Sequence, residues 1–223
     1  MPNVSYFRAL CVALPFLAPS ILPAQTQTLL ENEQVRVLKA VDKPHVKNPP
    51  HSHKLNRVMV YLSDGTQEIT PQGGKATTVK LTKGEVQFNK AVASHTSEVT
   101  SDEPLTIIEV ELKDEGKPGK LQTGPLDPLK VDPKVYHLEF ENDQVRVTHV
   151  KMPAHSGVPQ HEHTLNRVVV NLSDQDTRMT SSDGKVQEAK HKTGDASFSG
   201  PVVHKEQNLQ DIPFEAIMIE LKK

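Results

Sequence analysis

The stretch His51-Ser52-His53-Lys54-Leu55-Asn56-Arg57-Val58 returns as His161-Glu162-His163-Thr164-Leu165-Asn166-Arg167-Val168, and this repetition decides how the chain is organised. Residue 51 maps to 161 and residue 31 to 141, so Glu31-Asn32-Glu33-Gln34-Val35-Arg36-Val37 reappears as Glu141-Asn142-Asp143-Gln144-Val145-Arg146-Val147 at the same offset of 110. Gly74-Lys75 and residues 84–88 keep that offset with Gly184-Lys185 and residues 194–198. After one deletion the offset becomes 109, which aligns His95 with His204 and Glu111-Leu112-Lys113 with Glu220-Leu221-Lys222. Self-similarity held across a whole half implies two copies of one fold.

Around that repeat the chain divides into four parts. Residues 1–24 carry one cation, Arg8, then an apolar run from Ala9 to Leu17 and a small residue, Ala24, which is the order of a secretory signal peptide. This predicts export to the periplasm or the medium. The chain's one cysteine, Cys11, falls inside that segment, and a mature protein without thiols suits an oxidising compartment. Residues 25–113 and 135–223 form the two copies. Residues 114–134, with Gly116, Pro118, Gly119, Gly124, Pro125, Pro128 and Pro133, have the composition of a linker.

Within each copy the apolar period is two, as in Val35 and Val37 or Val58, Val60 and Leu62, and no long stretch has the helical period. Gly73-Gly74 and Asp183-Gly184 read as hairpin turns. Short strands separated by turns predict an all-β chain of two tandem antiparallel barrels or sandwiches. A formal charge of −2, from 26 basic and 28 acidic residues, offers no basic surface for nucleic acid or an anionic membrane. The expected partner is a small molecule.

The histidines carry the chemistry. Alternate residues of a strand share a face, so His51 and His53 point together, as do His161 and His163. A third ligand has to come from another strand, and His95 and His204 are the candidates. Three imidazoles leave coordination positions open for water, substrate or dioxygen.

With these motifs the chain resembles the cupin superfamily over nearly all of both halves, in its two-domain or bicupin form. His51-x-His53 and His161-x-His163 match the first motif of that family, and Gly194-Asp195, Pro201, His204 and Asn208 match the second more fully than Gly84 and His95 do. The resemblance implies two double-stranded β-helix barrels that pair within one chain, with a further homo-oligomer optional. It also implies metal sites at His51, His53 and His95 and at His161, His163 and His204. The chain departs from the family where a glutamate usually follows: those positions hold Arg57 and Val58, and Arg167 and Val168. That weakens the analogy to manganese-dependent oxalate-degrading bicupins and favours Fe(II) held by three histidines, with Zn, Ni and Mn as other divalent ions that imidazole suits.

Three neutral ligands leave the full charge on the ion, which suits an anionic substrate such as a small organic acid or a diketone-like enolate. Arg57 and Arg167 would orient such a carboxylate if they face inward, and would be solvated strand residues if outward. Asn56 and Asn166 are expected in turns, and Arg36 and Arg146 in surface salt bridges. His45 and His155, where the family usually has a turn glycine, are expected in loops at the barrel mouth. His137, His149 and His191 have no matching histidine and receive no site role. The expected function is a metal-dependent oxygenase; its rivals are a non-catalytic binding protein and a metal-dependent isomerase or lyase.

Overall fold

The computed structural model describes residues 25–114 and 120–222. The signal-peptide expectation for residues 1–24 and the Pro118-Gly119 part of the connector lie outside the described residues.

Two sheets build each half, and the two halves use the same strand order. In the first, β1 (Gln25–Glu31), β2 (Val35–Asp42), β9 (Leu105–Leu112), β4 (Arg57–Tyr61) and β7 (Val86–Asn89) form a five-stranded sheet in that order. It faces a four-stranded sheet of β3 (His51–His53), β8 (Val92–Val99), β5 (Gly65–Pro71) and β6 (Thr77–Leu81). In the second half β10 (Tyr136–Glu141), β11 (Val145–Met152), β18 (Phe214–Leu221), β13 (Arg167–Asn171) and β16 (Ala196–Ser199) repeat the larger sheet. The smaller sheet is repeated by β12 (Gly157–His163), β17 (Val202–Asn208), β14 (Gln175–Ser181) and β15 (Val186–His191). All the strand pairings are antiparallel, which short turns between consecutive strands permit.

The period-two pattern separates two apolar faces. In β4, Val58 and Val60 point away from their own barrel while Arg57, Met59 and Tyr61 line its cavity. The outward valines of both larger sheets, with Ile108, Val110, Ile217 and Ile219, merge into one core between the barrels. Asn56 and Asn166, expected in turns, also cross this joint. Asn56 Nδ2 donates to Gln144 Oε1 at 2.6 Å, and Asn166 Nδ2 donates to Gln34 Oε1 at 2.5 Å. The two bonds are counterparts under the repeat, so the halves meet about an approximate two-fold axis.

The end of the connector packs. A short helix α1 (Pro128–Val131) is capped by Asp127 and lies against β10 and β12, with Leu129 and Val131 on the core of the second barrel. The linker composition of residues 114–134 therefore describes only part of that segment. Asp127 also explains a second difference. Arg36 pairs with Glu111 at 2.6 Å with its own side chain 42% exposed and that of Glu111 only 7%, so the expected surface bridge is half buried; Arg146 is 3% exposed and clasped by Glu220 at 2.5 Å and Asp127 at 2.6 Å. His149 differs as well: it is buried, between Glu139 at 3.1 Å and Glu215 at 2.7 Å.

The change of offset from 110 to 109 has a visible cause. On β17, His161 pairs with His204 and His163 with Val202, whereas on β8, His51 pairs with His95 and His53 with Val92. The first barrel's extra residue is absorbed as a β-bulge beside His95, so the third histidine keeps its place opposite the first.

Candidate metal centres

Strand β3 carries His51 and His53 on one face with Ser52 exposed between them, and β8 brings His95 alongside. Strands β12 and β17 do the same for His161, His163 and His204. In each trio the ligand atoms lie within 4.8 Å of one another. The two trios have nearly the same shape: ring centroids of His51 and His95 are 4.4 Å apart and those of His161 and His204 are 4.5 Å apart. Their surroundings differ, since His51 and His53 are half-buried whereas all three histidines of the second trio are buried.

Backbone carbonyls hold the outer nitrogens of three of these rings. His51 Nδ1 lies 2.9 Å from the Pro49 carbonyl, His161 Nδ1 2.9 Å from Pro159, and His95 Nδ1 3.3 Å from Ala93. His163 Nδ1 faces Glu220 Oε1 at 3.6 Å, and His53 Nδ1 faces Glu109 Oε2 at 3.9 Å. At His51, His95 and His161 a donor committed at Nδ1 fixes the tautomer and turns the Nε2 lone pair toward the trio, the arrangement usual around metal-bound imidazoles, whereas His163 Nδ1 and Glu220 Oε1 face each other without a hydrogen bond. His204 Nε2 is buried with no hydrogen-bond partner, a desolvated atom that a cation would satisfy. The donor set fits a divalent ion.

Burial also favours the neutral, ligating form. It pushes His53 and His161 down to about 4, and His204, with His161 and His163 beside it, to about 3. His95 and His163 are lowered too, again chiefly by burial.

Each trio opens on a cavity. That of the first barrel, about 350 Å³, holds a polar network on one side: Asn48 Nδ2 bridges Asp42 and Ser97 at 3.1 Å each, and Gln67 donates to Asp42 at 3.1 Å. That of the second, about 880 Å³, has walls of Val150, Val169, Phe214 and Met218 with polar groups near the histidines. Arg57 and Arg167 both face inward, each 6% exposed. His45 and His155 stand apart from the trios, exposed, with φ of 55° and 52°, and contact Asp102 and Asp211 at 3.2 Å and 2.8 Å. They occupy left-handed positions, which accounts for the glycine expected there. Asn208 is buried and ties down the turn after β17 through the Pro153 and Ile212 carbonyls.

Two groups in the second site escape a search based on repetition, and a third, Glu220, received no role despite repeating. The buried Tyr136 hydroxyl is 3.1 Å from His161 Nε2, and its counterpart is Thr26. Glu206, pushed up to about 7 by burial, lines the cavity two residues after His204 and corresponds to Ser97. Glu220 does repeat, as Glu111, and its position on the cavity face of β18 was the available signal.

No family model matches the sequence, and no curated protein does. Solved structures do resemble the fold. AerE from Microcystis aeruginosa is 17% identical with a TM-score of 0.65, covering 94% of this chain and 96% of its own. The cupin 2 conserved barrel domain protein from Leptotrichia buccalis is 14% identical with a TM-score of 0.55, covering 92% of both chains. Oxalate decarboxylase from Bacillus subtilis is 12% identical with a TM-score of 0.60, covering 88% of this chain and 71% of its own. Set beside the common strand order of the two halves, these likenesses show that the chain has the cupin fold in its two-barrel, bicupin form.

Proposed function

We propose that this chain is an exported, metal-dependent bicupin whose second barrel acts on a small organic acid or a diketone-like molecule, with Fe(II) as the favoured ion and oxygenation as the favoured reaction. The observation that carries the reading is the buried trio His161, His163 and His204, set on a large cavity that also presents Arg167 and Tyr136. Residues 1–24 support export by their sequence alone.

The six histidines would hold the two ions. A bound divalent ion supplies Lewis-acid polarisation of a substrate oxygen and, as Fe(II), access to dioxygen chemistry. The chain's own groups do the rest. Arg167 faces the cavity with its Nη1 anchored to the Gly200 carbonyl at 2.6 Å, which fixes the guanidinium for a substrate carboxylate. The Tyr136 hydroxyl, hydrogen-bonded at His161, supplies a polar contact beside the same opening. The apolar walls keep the bound molecule away from bulk water, where these polar contacts are weaker.

Metal analysis of protein purified anaerobically, combined with oxygen uptake over a panel of small carboxylic acids and β-diketones, tests the reading. Two equivalents of iron are expected, one lost in His51→Ala and the other in His161→Ala, with oxygen uptake abolished in His161→Ala. Unchanged metal content in both variants would remove the metal reading. Stable zinc with no turnover would make the protein a binding module.

A further inference from the structure

The repeat gives an internal comparison of the two cavities, and one pair of positions differs in kind. Glu109 on β9 and Met218 on β18 hold the same register: Glu109 lies between Leu38 and Met59, Met218 between Thr148 and Val169. We propose that this position decides which barrel accepts an organic anion. Met218 leaves the second barrel open to a carboxylate with an apolar body, and Glu109 closes the first barrel to one. The proposal rests on the site reading above and names the substrate class of that site.

In the first barrel Glu109 Oε2 sits 3.4 Å from Arg57 Nε, so the cavity's cation already has its anion. Arg57 Nη1 and Glu109 Oε2 lack hydrogen bonds, yet a second carboxylate reaching Arg57 would be set against a like charge. Asp42 adds another acidic group on the same cavity. In the second barrel methionine replaces that carboxylate. Among the described residues Arg167 has its hydrogen bond to Gly200 and no ion pair. Glu220, the carboxylate nearest along the sheet, is engaged by Arg146 at 2.5 Å, which Asp127 also clasps. Glu206 lines the cavity without an ion pair to Arg167.

Size and polarity follow the same division. Ile107 and Tyr61 in the first barrel correspond to the smaller Ala216 and Asn171 in the second, which helps explain cavities of about 350 and 880 Å³. Asn48, which organises the polar network of the first, corresponds to Val158. A head of one negative charge at Arg167 and the histidines, with an alkyl or aryl body along Val150, Phe214 and Met218, matches the second cavity. Acetate is too small to use those walls.

Zinc-loaded protein titrated calorimetrically with acetate, hexanoate and 3-phenylpropanoate tests this. One equivalent of the two larger acids is expected, bound at least about tenfold more tightly than acetate. Met218→Glu should weaken 3-phenylpropanoate at least about tenfold with zinc content unchanged, while Met218→Gln, polar but uncharged, stays within about threefold of the parent. Glu109→Met should raise the stoichiometry from one to two. Two equivalents in the parent protein, no preference over acetate, or unchanged affinity in Met218→Glu would overturn the proposal. If Met218→Glu loses its β circular dichroism, Glu109→Met decides: a stoichiometry that stays at one overturns it. Should the parent protein retain no zinc, the metal reading fails separately, and the same titrations of the metal-free chain still compare one site with two through Arg167 and Arg57.

Discussion

At the scale of single residues, the same tripeptide has two outcomes. Val-Arg-Val occurs at 35–37 and 145–147, and in both the arginine points away from the joint between barrels. Arg36 stays half-exposed with one carboxylate, whereas α1 brings Asp127 over Arg146 and buries a triad. Removing one partner of a buried ion pair costs far more than removing an exposed one, because the remaining charges stay desolvated. Arg146→Ala is therefore expected to cost about 3–5 kcal/mol. Arg36→Ala should cost less, about 1–3 kcal/mol, because it leaves one carboxylate, the 7%-exposed Glu111, without its partner. Denaturant unfolding of the two variants checks this, and equal losses would contradict it. The histidine trios were readable because strand alternation and repetition specify them jointly. Tyr136 was not, since it belongs to one copy only and comes from a strand distant in sequence from His161.

At the scale of elements, turns were legible and registers were not. Gly184 and Gly194 both have positive φ, 81° and 85°, as their turn positions require. A Cβ at Gly184 would meet nothing within 4 Å, but one at Gly194 would lie 3.1 Å from Leu62 Cδ1 of the other barrel. Gly184→Ala should then cost about 1 kcal/mol of backbone strain alone. Gly194→Ala adds a steric cost at the joint, so its melting temperature is expected to fall further. A thermal melt showing the reverse order would mean that Leu62 yields freely. The one-residue offset change was visible in the sequence, yet its location as a bulge beside His95 depends on cross-strand pairing that no local pattern encodes.

The whole molecule is two barrels joined by the faces that their valines present to each other. The sequence specified the alternation but not which face met the other copy, and it hid the reciprocal bonds of Asn56 and Asn166 behind residues common in turns. A single barrel, residues 25–113, would expose Val35, Val37, Val58 and Val60 together. Because Gln34 matches Gln144, that fragment retains both halves of the polar exchange and is expected to form a two-fold dimer in light scattering. A soluble monomer at micromolar concentration would show that the joint is dispensable.

That joint also bears on how the two copies have drifted apart. Gln34 and Gln144, Asn56 and Asn166, Leu62 and Leu172, and the valines at 35, 37, 58 and 60 are identical between copies, while Glu109 and Met218, Tyr61 and Asn171, and Ile107 and Ala216 inside the barrels are not; elsewhere in the joint Val110 becomes Ile219 and Leu30 becomes Phe140. A change at the joint must suit an unaltered partner on the other copy, but a change inside one barrel is answerable only to that barrel. The centre of the seam, its amide exchange and four valines, is thus held by reciprocity, and the interiors are free of that constraint.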